Sequence, residues 1–402
     1  MTEAAIAGTC HPDFGAVREE FTRNFAERDE VGASICVTVD GETVVDLWGG
    51  VADPATNRAW DADTRVVVFS CTKGATALCA HILADRGELD LDAPVGQYWP
   101  EFASNGKEDA TVSMILDHSV GVPAVSGELK PGGMYDWDYM CDQLARQRPW
   151  WTPGTRNGYH LITFGWTVGE LVRRVSGRSL GTFFREEVAG PLGLDFDIGL
   201  PEALEAKVAP IITWMPGPEY DSAFTRSITE DPTGVTATGM ANMVHSGVDF
   251  NDRNFRAAEI GGAGGVTTAR GLAGMYAPLA GGGGKLVGPD TLARMGEVAV
   301  ATSDDAVLRI PTRFGLGFMK SMDNRRRVQS AGTSALLSSA AFGHVGAGGS
   351  LGFADPEARV SFGYVMNRQG VGILLNDRGQ SLVDAVYRTL GYRTNTPGVW
   401  VR

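Results

Sequence analysis

The chain has 402 residues, beyond the usual single-domain length and enough for one large core or two domains sharing a cleft. Hydrophobic residues at 43% and charged residues at 21% are ordinary for a folded protein and exclude a disordered, collagen-like or coiled-coil chain. Its 48 acidic against 35 basic residues leave a net charge of −13, and the only basic run is Arg325-Arg326-Arg327, so nucleic acid and anionic membrane are not expected partners.

From the start of the chain, Phe14, Val17, Phe21 and Phe25 fall on one helical face. Ile35 to Val39 and Thr43 to Trp48 then read as two strands joined by an Asp40-Gly41 hairpin turn. In the middle, Ala75, Leu78, Cys79, Ile82 and Leu83 form a helical stripe ending at Gly87, and Val168, Leu171, Val172 and Val175 form another ending at Gly177. Toward the end, Gly352 to Ala354 and Val360 to Met366 flank an Asp355-Pro356 turn, and Leu382, Ala385, Val386 and Leu390 space out a last helix. The pattern predicts an α+β protein: a sheet domain assembled from 1–69 and 307–402, a mainly helical domain at 70–306, and a cleft between them. No stretch approaches the ~18 apolar residues of a membrane span and no export signal is evident, so the expected location is the cytoplasm. Five cysteines without Cys-x-x-Cys pairs suggest reduced thiols, neither disulfides nor zinc.

Chemistry concentrates at Val66-Val67-Val68-Phe69-Ser70-Cys71-Thr72-Lys73, where a Ser-x-x-Lys pair sits at the start of the Ala75 stripe. One helical turn apart, Ser70 and Lys73 share a face. A serine hydroxyl is a weak nucleophile until a base takes its proton, and a buried lysine, its charged form disfavoured, can be that base. The helix start lends the Ser70 N–H to a developing oxyanion. Ser70 at this position also suits a helix cap. Two decoys accompany the motif. Ser104 and Lys107 repeat the spacing at an Asn-Gly turn, and Gly348-Gly349-Ser350-Leu351-Gly352 fits a nucleophile elbow, although no histidine follows Ser350. Phosphate-loop, dinucleotide and metal-ligand patterns are missing, so no cofactor is expected.

Beyond these residues, the sequence resembles the serine β-lactamase and penicillin-binding protein superfamily, and within it the class C-like, family VIII-type carboxylesterases. Carrying the resemblance, in the family's order, are Ser70-Cys71-Thr72-Lys73, Gly87-Glu88-Leu89-Asp90, Asp117-His118-Ser119, Pro153-Gly154-Thr155, Gly158-Tyr159-His160, Pro191-Leu192-Gly193-Leu194, Gly264-Gly265-Val266 and Gly343-His344-Val345-Gly346. The resemblance implies the serine β-lactamase/DD-peptidase-like fold, with Ser70 as nucleophile and Tyr159, assisted by Lys73, as general base. It puts the Ala347 amide opposite that of Ser70 as second oxyanion donor, with Gly346 and His344 beside it. The family's Tyr-x-Asn is Tyr159-His160-Leu161 here, and its Lys-Thr-Gly is His344-Val345-Gly346, so an amide and a cation are both lost. Tyr135, Trp137, Tyr139, Trp150 and Trp151 are candidates for an apolar pocket or for core. The implied activity is hydrolysis of small carboxylic esters through an acyl-enzyme. A β-lactamase, peptidase, amidase or acyltransferase is the alternative, and a non-catalytic scaffold a further one. The expected partner is a small ester substrate; a homo-oligomer is left open, since the sequence does not fix the oligomeric state.

Overall fold

A computed structural model describes residues 5–215, 217, 220–327 and 331–402. Strands β1 (Ile6–Cys10), β2 (Gly32–Val39), β3 (Glu42–Asp53) and β4 (Arg58–Ala59) come from the start of the chain. A small three-stranded sheet is made by β5 (Val66–Val67), β6 (Phe196–Ile198) and β7 (Gly265–Thr267), and β8 (Val300–Thr302) pairs with β9 (Thr312–Phe314). From the end come β10 (Phe342–Val345), β11 (Leu351–Asp355) and β12 (Val360–Met366). The large sheet is antiparallel in the order β1-β3-β2-β12-β11-β10, with β4 on β3.

At its centre β2 pairs with β12, Val39 opposite Val360 and Ala33 opposite Met366, joining segments more than three hundred residues apart. The Asp40-Gly41 turn forms as expected: both residues have positive φ, 52° and 84°, the backbone a two-residue hairpin requires. Helices Gly15–Glu27 and Asp377–Thr389 pack on each other against the sheet. Helix Ala269–Ala280 covers β12, β11 and β2. Gly363 permits that approach, since a Cβ there would strike the Ala269 carbonyl and Ala273 amide of the helix. With both faces covered, every residue of β11 and β12 is buried.

That helix lies inside the 70–306 segment read from sequence as the helical unit, yet it packs as part of the sheet layers. Packing and chain order therefore divide the molecule differently. The remaining middle helices, among them Cys71–Asp85 and Phe164–Ser176, pack together beside the sheet's β10 edge. All five cysteines are free thiols. Among the described residues no helix is long and apolar enough to cross a membrane.

Candidate active site

Ser70 stands where β5 gives way to helix Cys71–Asp85. The preceding Phe69 has φ +46°, a left-handed state costly for a residue with a bulky side chain, held by an edge-on packing of its ring against Phe250 at 5.0 Å. Although Ser70 occupies the N-cap, its side chain makes no cap hydrogen bond. Its Oγ instead lies 3.0 Å from Lys73 Nζ. Lys73 is fully buried, and its Nζ donates to the Leu161 and Gly262 carbonyls, each at 2.7 Å. Desolvation holds its pKa well below the usual lysine range. A neutral amine has two N–H bonds, which those carbonyls consume, so its lone pair is left facing the serine hydroxyl.

Tyr159 lies beside this pair, with Lys73 Nζ 4.8 Å from its ring centre. Its amide donates to both oxygens of the buried Asp305 carboxylate, at 3.0 and 3.1 Å. Burial pushes the phenol pKa upward, with a hydrogen bond to Ser70 opposing. His344 Nδ1–H donates to the Val345 carbonyl at 2.8 Å, leaving Nε2 as an acceptor 3.4 Å from Tyr159 Oη. Desolvation pushes the His344 pKa down to about 3, so the ring is neutral at working pH. His160, which follows Tyr159, turns away from the site: Nδ1–H donates to the Gly158 carbonyl and Nε2 accepts from the Val122 amide. At the position of the family's asparagine stands Leu161, a residue of the cavity wall that offers no side-chain amide.

Ala347 sits in the turn between β10 and β11. The Gly346 carbonyl accepts from the Gly349 amide at 3.0 Å, and in a planar trans peptide this aims the Ala347 N–H the opposite way. Among the described residues neither the Ala347 nor the Ser70 amide has a protein acceptor. Gly346 leaves no room for a Cβ, which would meet Ser350 Oγ and the Val68 carbonyl. Asn376 fixes the far side of the turn: its Nδ2 donates to the Gly348 carbonyl at 2.9 Å, while its Oδ1 caps helix Asp377–Thr389. Ser350 is buried, its Oγ 3.3 Å from the Val68 carbonyl, and a strand rather than a helix follows it. An elbow geometry is not formed.

Above Ser70 lies a cavity of about 240 Å3 whose wall includes Phe69, Tyr159, Leu161, Phe224, Met240, Met243, Phe250, Ala347 and Ile373. None of the described wall residues is charged. The aromatic residues proposed from sequence are placed elsewhere: Trp151 donates to the Ser119 carbonyl at 2.9 Å and abuts Gly158, Trp150 donates to Ala124, and Trp137 to Glu170. Trp151 is not among the residues of the cavity wall, and its indole braces the turn beneath Tyr159. Sequence reasoning missed Phe69, Phe224 and Phe250 in the wall, the anchors Asp305 and Asn376, and the two carbonyls on Lys73. A backbone carbonyl carries no signature in residue type, and the wall aromatics come from segments too far apart to form a periodic pattern.

A model of the Beta-lactamase family matches residues 19–383. The chain belongs to that family. Among beta-lactamase-family proteins it is 35% identical over 382 residues to "Esterase/beta-lactamase LipL" of Mycobacterium tuberculosis, spanning 92% of this chain and 85% of that one. It is similar to the solved structure of a family VIII carboxylesterase, at 38% identity and TM-score 0.83, covering 96% of this chain and all of the other. A penicillin-binding protein homologue from Caulobacter crescentus matches over the same shares at 36% identity and TM-score 0.85. The beta-lactamase-family fold, with its antiparallel sheet and flanking helices, is the one described above.

Proposed function

We propose that this chain is a serine carboxylesterase acting on small esters that are uncharged around the reacting carbonyl. The observation that carries this reading is the wall above Ser70, which is apolar and free of charged side chains, combined with a histidine held neutral where lactam-processing relatives keep a lysine. Two of the relatives described above carry esterase or carboxylesterase names.

Ser70 Oγ attacks the ester carbonyl while neutral Lys73 takes its proton, and the Ser70 and Ala347 amides hold the oxyanion. This places the base on Lys73 and makes Tyr159 a relay, because burial disfavours a free phenolate. As the tetrahedral intermediate collapses, the C–O bond to the alcohol breaks and the Tyr159 hydroxyl passes a proton to the departing oxygen, its own proton being replaced from Lys73. Water then adds to the acyl-enzyme along the reverse route, releasing the acid and restoring Ser70.

The test compares kcat/KM for 4-nitrophenyl butanoate and nitrocefin on one preparation. A lactam carboxylate meets no lysine here, which removes a charge-assisted contact worth about 1.5–3 kcal/mol, so the ester is expected to be the better substrate. A larger value for nitrocefin overturns the reading.

A further inference from the structure

The cavity above Ser70 borders a second cleft, of about 440 Å3, with which it shares Phe224, Leu308 and Ile373. Among the described residues of the second wall, the charged side chains are all arginines: Arg226, Arg309 and Arg327. In a chain of net charge −13 this sign is contrary to the background, and Arg327 ends the one basic run of the sequence. Arg309 is held with φ +62°, a strained state for a non-glycine residue. Asp305 maintains it: the Asp305 carbonyl accepts from the Arg309 amide at 3.0 Å, and its carboxylate accepts from the Val307 and Leu308 amides at 2.9 and 2.8 Å. The same carboxylate anchors the Tyr159 amide, so the presentation of Arg309 is tied to the position of the phenol.

Arg226 pairs with Asp221 at 2.6 Å and Arg309 with Asp304 at 3.1 Å, each aspartate about half exposed. Exposed pairs of this kind contribute little and yield readily to a competing anion. Among the described residues Arg327 has no side-chain partner, so its guanidinium is the one at this cleft open to a carboxylate. We infer that this cleft is a subsite for a carboxylate at the distal end of the substrate, so that the ester is apolar at its carbonyl and anionic at its far end. The inference rests on the esterase reading above.

The experiment measures kcat/KM for 4-nitrophenyl pentanoate against the 4-nitrophenyl hemiester of pentanedioic acid, placing the carboxylate on the acyl side. A second pair places it on the alcohol side: the butanoate esters of 4-methylphenol and of 4-hydroxyphenylacetate. In one of the two pairs the anionic ester is expected to be preferred about five- to tenfold at low salt, with the preference shrinking in 1 M NaCl. Arg327→Met should abolish most of that preference and leave the neutral esters within about twofold, and Arg309→Met should do the same provided its fold is intact by circular dichroism. Cleavage of neutral esters with no preference for either anionic one overturns the subsite alone, as does a preference unaffected by Arg327→Met. Failure to cleave any of the four esters overturns the esterase reading and the subsite with it.

Discussion

Ser70 with Lys73, and Ser104 with Lys107, repeat one spacing in one chain, and both lysines are fully buried, yet the two pairs end in different hydrogen-bond surroundings. Lys107 Nζ donates to three carbonyls, those of Ser104, Ala145 and Gln147, at 3.0, 3.0 and 2.5 Å. All three ammonium protons are occupied, and the charge closes the C-terminal end of helix Trp137–Arg146, where a cation is favoured. Ser104 Oγ is turned to the Glu101 and Ala145 carbonyls instead. Lys73 has only two carbonyls, and its third direction is the Ser70 hydroxyl. Desolvation lowers both lysines, Lys107 to about 8 and Lys73 well below the usual lysine range. The count of carbonyl acceptors separates a lysine fully tied as an anchor from one that, on the proposed mechanism, keeps a direction open to act as a base.

The comparison breaks first at the serines. Ser70→Ala should lower ester turnover at least about a thousandfold with the fold retained, whereas Ser104→Ala should leave kcat/KM within about twofold. Comparable losses at the two sites would show that spacing, not environment, sets the chemistry. The lysines sharpen it. Lys73→Ala should silence turnover, while Lys107→Ala should remain active but lose about 2–3 kcal/mol in urea unfolding, since three buried carbonyls lose their donor.

A pH profile separates base from anchor without mutation. On the proposed mechanism Lys73 acts unprotonated, so kcat/KM should rise about tenfold per pH unit on the acid side of its lowered pKa and level off above it. His344, neutral down to about 3, should add no inflection near pH 6.5; one that disappears in His344→Gln would contradict its placement. The smallest expected effect lies at the oxyanion turn. Asn376→Asp keeps the oxygen that caps the C-terminal helix but loses the donor to the Gly348 carbonyl, so kcat should fall about five- to tenfold with KM and melting temperature nearly unchanged. Loss of stability in step with activity would make Asn376 a cap and nothing more.

Much of the frame was legible because its signals are local. The Asp40-Gly41 turn, the Phe14 to Phe25 stripe and the Gly177 stop each depend on a few adjacent residues. Ser70 was legible for the same reason, as a hydroxyl and an amine one turn apart. What escaped is set by contacts distant in sequence. Trp151 offered a large apolar ring but found its use in the Ser119 carbonyl. Asp305 reads as an ordinary loop aspartate until four amide and hydroxyl donors converge on it. Burial, which raises the Tyr159 phenol and lowers the Lys73 amine together, is likewise invisible in a motif.

The pairing of β2 with β12 bears on how the molecule is made. The centre of the large sheet cannot close until the ribosome has released almost the whole chain, since Val39 waits for Val360. Such separation gives the sheet a high contact order and a slow closure, and leaves the β2 edge open throughout synthesis. The helices around Ser70 can gather earlier from local contacts, but the turn that presents the Ala347 amide lies between β10 and β11, near the end of the chain. A nascent or C-terminally clipped chain would thus hold Ser70 in place before it holds the Ala347 amide, and on the proposed mechanism would be inert until the final strands dock.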